Sequence, residues 1–207
     1  MTSACTGTGS VNVVGGTFVA IKLHGKRVDD MIIKNPIAMK CAFGENPKTS
    51  YGGSKKAPVT RMANAALLRD LLFKTKKYLA DKESGKAVYD MKLEAMIPVI
   101  KREIPLKAHV HRADDIFTAI RIAKEFDLKL TLDHCTDGAL IADELAKEGY
   151  PALVGPVFTA KKEKRACSQE LCHRGYSSQS GCADKHCNRQ SCYSHRTFAS
   201  VRGTVYC

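Results

Sequence analysis

Apolar and polar positions alternate in blocks along the middle of this chain, and the blocks predict a repeating order of strand and helix. Leu106–Val110 is a short apolar run after Pro105 and predicts a strand. Arg112–Phe126 carries Ile116, Ile120, Ile122, Ala123 and Phe126 near a 3.6-residue spacing and predicts a helix. Leu128–Leu132 is a second apolar run, closing on Asp133–His134. Strand, crossover helix and strand make a right-handed βαβ unit. A further helix over Ala139–Lys147, with Asp137 as its cap and Gly149 as its stop, leads to a short strand at Ala152–Val154.

The preceding part is less regular. Arg61–Leu79 predicts a long helix with Thr60 as its cap and Ala65, Leu68, Leu72 and Leu79 on its apolar face. Tyr89–Arg102 predicts another, with Pro98 expected to kink or break it. Thr2–Val14 reads as a strand and a loop, and Thr17–Lys26 as a short helix. Ile37–Phe43 reads as a buried strand, because Asn35–Pro36 blocks a continuous helix, and Asn46–Pro58 as a polar loop. Helices alternating with short apolar strands predict an α/β fold with a parallel sheet or barrel.

Past Lys161 the patterning stops. Residues 161–207 hold nine Lys/Arg against three Asp/Glu, and six of the nine cysteines: Cys167, Cys172, Cys182, Cys187, Cys192 and Cys207. About half of the net charge of +12 therefore comes from this tail, so the charge does not identify a substrate. The simplest reading of the tail is a shifted reading frame giving a disordered segment. The competing readings are a Cys/His metal module, although no spacing matches a paired zinc knuckle, and a disulfide-stapled tail. Residues 1–160 and 161–207 are accordingly treated as two regions. With 44% hydrophobic residues, no apolar run of transmembrane length and no basic-then-apolar leader, the expected location is cytoplasmic.

Candidate chemistry gathers where the strands end. In parallel α/β folds the C-terminal ends of strands carry the reactive groups. His109, His111 and His134 all lie at or just past such ends. A single histidine there is usually an ordinary polar residue; three at equivalent positions can share a metal ion. Gly7 and Gly9 form a G-x-G without the third glycine and helix of a nucleotide fingerprint, which leaves a nucleotide-binding reading open but poorly supported.

KAHVH at 107–111 and LTLDH at 130–134, with AMKCAFGENPK upstream and YPALVGPVF downstream, resemble the amidohydrolase superfamily, in particular its imidazolonepropionase-like branch. The resemblance covers roughly residues 2–160. It implies a partial (β/α)8 TIM-type metallo-dependent hydrolase barrel lacking its first and last strands. It also implies hydrolysis of a non-peptide or small-peptide C–N bond by metal-activated water. By the same resemblance His109 and His134 are metal ligands, Lys40 and Glu45 are candidate ligands, and His111 is a substrate-side group or a further ligand. Imidazole donors suit zinc or another divalent metal, one or two ions, and a zinc-bound water ionises near pH 7. The family's H-x-H pair on the first strand and its aspartate on the eighth are missing, so this chain is expected to be a fragment with impaired or no activity. The expected partners are a small-molecule substrate and, possible through an open barrel gap, a second copy of the chain; no specific nucleic acid and no membrane are expected. The alternative function is a non-catalytic metal- or nucleic-acid-binding protein acting through the Cys/His-rich basic tail.

Overall fold

A computed structural model describes residues 2–54, 56–155 and 198–199. The tail readings of the sequence therefore lie outside the described residues, apart from the two-residue strand at 198–199. The chain divides into two compact units, Met1–Lys107 with Arg121–Lys129, and Ala108–Ile120 with Leu130–Cys207.

The first unit opens with an antiparallel meander of β1 (Ser3–Thr6), β2 (Val14–Lys22) and β3 (Ile32–Ala42), with a single helical turn, α1 (Val28–Met31), before β3. β2 replaces the helix expected over Thr17–Lys26. A short apolar run fits either period, and here both edges of the run find strand partners. The glycines around it, Gly15, Gly16 and Gly25, are strand and turn punctuation rather than caps. β3 starts five residues before the expected strand and runs through Asn35–Pro36. Pro36 sits where the register slips, between Phe18↔Ala38 and Ala20↔Lys34. A bulge is where a sheet tolerates a residue without an N–H. Only the second half of β3, Ala38–Ala42, is buried.

α2 (Glu45–Gly52) occupies most of the segment expected to be loop. Its proline, Pro47, lies in the first turn, where the missing N–H costs nothing. α3 (Arg61–Glu83) begins where expected, with the Thr60 hydroxyl accepting from the Ala63 amide at 3.0 Å. α4 (Met91–Ile100) is capped by Asp90, which accepts from the Lys92 and Leu93 amides, and it ends two residues past Pro98. Leu68, Leu72, Met96 and Val99 form the buried seam of this helix pair. At its edge Lys82 and the Tyr78 hydroxyl both donate to Glu94 Oε1, at 2.6 and 2.7 Å. Those two donors hold the Glu94 carboxyl below its ordinary range.

β4 (Leu106–Val110) and α5 (Ala113–Glu125) pass from one unit to the other. The second unit continues with β5 (Leu130–His134), a 3-10 turn at Gly138–Ile141, α6 (Ala142–Glu148) and β6 (Ala152–Val154). β5 and β6 pair in parallel, with His134 opposite Val154, and β7 (Phe198–Ala199) adds antiparallel to β6. α6 stops at Gly149, whose φ of 72° is the left-handed value expected of that glycine. Strand and helix alternate through this region as the patterning predicts, and β5 and β6 pair in parallel as expected, but the β1–β3 meander and the β6–β7 pair are antiparallel, so the fold is mixed α/β. Asp137 does not cap the following helix with its side chain. Its carboxylate instead accepts from the Ala113 amide at 3.3 Å, at the start of α5.

Candidate metal centre

The second unit builds its site from two strand ends. On β4, His109 is the last polar side chain before Val110 and is 6% exposed, while His111 follows the strand and is half-buried. On β5, His134 is the terminal residue. Its backbone has a φ of 75°, and that of Cys135 a φ of 42°. Two successive non-glycine residues in the left-handed region are uncommon and cost of order 1–3 kcal/mol each. They turn the chain back over the end of β4. There Cys135 N–H donates to the Val110 carbonyl at 3.0 Å and Asp137 N–H to the His111 carbonyl at 2.9 Å.

This turn brings three imidazoles together. Among the described residues, His109, His111 and His134 form one group whose donor nitrogens all lie within 4.8 Å of one another. Their ring centroids are 4.5, 4.7 and 5.0 Å apart, the His111 and His134 rings lying parallel within 8°. His109 Nε2 and His111 Nε2 face each other at 3.1 Å.

The donor set fits a divalent cation. Two nitrogens bound to zinc at about 2.0–2.1 Å with a tetrahedral angle sit about 3.3 Å apart. The His109–His111 pair already has that spacing, and the His134 donor lies within the 4.8 Å span of the group. Two of the three rings are also held from behind. His134 Nδ1 contacts the Gly155 carbonyl at 2.5 Å, and because a carbonyl only accepts, the proton is on Nδ1 and the lone pair on Nε2. His111 Nδ1 contacts the Thr136 hydroxyl at 2.7 Å. Outward-facing hydrogen bonds of this kind are the usual partners of metal-binding histidines.

Asp137 lies below this turn. Burial pushes its carboxyl above the ordinary range, against the smaller opposing effects of the Ala113 amide and the Arg112 charge. Its buried Oδ1 has no hydrogen-bond partner among the described residues.

Of the residues expected from the sequence, the structure brings His109, His111 and His134 together. Lys40 and Glu45 belong to the first unit. Lys40 is buried on β3, with its ammonium 5.8 Å from the Phe18 ring centroid, and Lys107 approaches the same ring at 5.6 Å. Glu45 opens α2, and its carboxylate is ion-paired with Arg61 at 2.8 Å and Lys48 at 3.4 Å. At Gly7 a Cβ would lie 2.4 Å from the Phe18 ring. The sequence reading missed Thr136 and the Gly155 carbonyl. The signal for Thr136 was a hydroxyl two residues past a strand-end histidine; a backbone carbonyl leaves no signal in side-chain identity.

The chain is similar to a solved amidohydrolase from Thermotoga maritima MSB8, with a TM-score of 0.77 and 42% sequence identity, covering 80% of this chain and 45% of that one. It thus spans less than half the length of that relative. No family model and no curated protein matches the chain. The resemblance to amidohydrolases carried by KAHVH and LTLDH is matched at the level of the fold, and the histidines of those two motifs are the ones that converge.

Proposed function

We propose that this chain carries the metal-binding strands of an imidazolonepropionase-like amidohydrolase, a hydrolase of non-peptide or small-peptide C–N bonds built on a (β/α)8 barrel. The observation that carries the reading is the convergence of His109, His111 and His134, with outward nitrogens tied to Thr136 and Gly155. The similarity to the Thermotoga amidohydrolase supports it independently. His109 and His134 hold a divalent metal, and zinc is among the ions that imidazole donors suit. When bound, the metal supplies Lewis-acid polarisation of the scissile group and lowers the pKa of water. His111, half-buried and stacked on His134, serves either as a third ligand or as a donor to the substrate. Lys40 and Glu45 are further ligand candidates. The substrate is a small molecule, the location cytoplasmic, and self-association the form of assembly; neither a membrane nor a specific nucleic acid is a partner.

The reading predicts metal-dependent hydrolysis that fails without the histidine trio. A panel of cyclic and linear amides assayed with zinc-supplemented full chain tests this. Weak zinc-dependent hydrolysis that His109→Ala abolishes supports the reading, and hydrolysis unaffected by His109→Ala or by chelator rejects it.

A further inference from the structure

We infer that Thr136 is a positioning residue for the metal centre, and that its hydroxyl sets which nitrogen of His111 is offered to the ion. The inference rests on the metal-site reading above and goes beyond it in naming a group that touches no ion itself.

The three histidines are not held alike. His134 Nδ1 faces a carbonyl, which can only accept, so His134 always presents its Nε2 lone pair. His111 Nδ1 faces a hydroxyl at 2.7 Å, and a hydroxyl either donates or accepts. His111 Nε2 in turn faces His109 Nε2 at 3.1 Å. Two lone pairs do not face each other at that distance unaided, so without a cation one of these nitrogens carries a proton. If that proton is on His111, its Nδ1 is bare and the Thr136 hydroxyl donates to it. With a cation bound, both Nε2 lone pairs turn inward. His111 then carries its proton on Nδ1, and the hydroxyl accepts. Thr136 thus serves both protonation patterns by rotating a single C–O bond.

The backbone places it there. The left-handed conformations of His134 and Cys135 and the amide bonds from Cys135 and Asp137 to the end of β4 fix residue 136 over His111. A valine at 136 preserves the shape of the side chain and removes the hydroxyl that faces Nδ1 in the ion-binding tautomer. A serine restores the acceptor.

The test is titration of the full chain with cobalt(II), followed by its visible absorption, for the wild type, Thr136→Val and Thr136→Ser, with the unfolding midpoint of each metal-free protein measured alongside. Outer partners of metal-binding histidines are typically worth about 10–100-fold in affinity. Thr136→Val is expected to weaken cobalt binding by that factor, and Thr136→Ser to stay close to wild type. Equal affinity in wild type and Thr136→Val overturns the inference while leaving the metal site intact. No cobalt binding by the wild type overturns the metal-site reading and this inference with it. Should Thr136→Val fail to fold, nitrogen NMR of the wild type with zinc decides. A proton on His111 Nδ1 is the expected result, and zinc on Nδ1 overturns the inference.

Discussion

His134 and Cys135 show how much of the site depends on two backbone angles. Their left-handed conformation turns the chain at the end of β5, so that three imidazoles converge and Asp137 is drawn inward. Asp137 gives this burial a pH signature. Its carboxyl titrates above its ordinary value of 3.8 because the folded chain desolvates it. Between that value and the raised one, the folded protein holds a proton that the unfolded chain has lost. Folding stability therefore falls as pH rises through this window. Asp137→Asn, which cannot titrate and keeps an oxygen to accept from Ala113, is expected to flatten that dependence. Urea midpoints measured across the acid range check it; an unchanged slope would mean that Asp137 is effectively solvated. Gly7 offers a second residue-scale test. Gly7→Ala drives a methyl into the Phe18 ring and is expected to cost about 1–3 kcal/mol. Gly9→Ala, with nothing within 4 Å of its Cβ, should stay within about 0.5 kcal/mol. If the two glycines instead formed a phosphate loop, both variants would lose nucleotide-dependent stabilisation.

At the scale of elements, stability resides in the α3–α4 pair and the ends of its helices. Thr60→Ala removes the hydroxyl that accepts from Ala63 and is expected to cost about 1 kcal/mol. Leu72→Ala, at a fully buried position of α3, is expected to cost about 2–5 kcal/mol. Denaturant unfolding of both variants checks the order; equal losses would place Leu72 outside the core. The same elements show why some of the fold was legible and some was not. β4, β6 and the start of α3 follow directly from short apolar runs and a capping threonine. Those signals are local, and nothing in the structure opposes them. β2 departs from the helix expectation because the apolar run Phe18, Val19, Ala20 and Ile21 fits either period, and only pairing with β1 and β3 decides between them. α2 is hidden because Gly, Ser and Lys are frequent over Asn46–Pro58 as a whole, although Glu45 and Pro47 in its first turn are helix-start residues. Asp137 was assigned to the wrong helix because a cap is recognised by sequence proximity, whereas its carboxylate reaches Ala113, 24 residues away.

At the scale of the whole molecule, the sequence carried the candidate metal site as three histidines at strand ends and left its support invisible. The Thr136 hydroxyl and the Gly155 carbonyl become partners only once the chain segments at the ends of β4, β5 and β6 are brought together. Among the described residues no helix is long and apolar enough to cross a membrane. The chain covers 45% of the amidohydrolase it resembles, so its own metal chemistry, rather than the relative's activity, is the property to measure first. Metal analysis by mass spectrometry of the purified full chain, beside a His109→Ala/His134→Ala variant, tests the claim most directly. A divalent ion retained in stoichiometric amount by the wild type after dialysis, and lost by the variant, is the predicted result. A wild-type chain that retains no ion when supplied with zinc, or a variant that retains as much as the wild type, would contradict it.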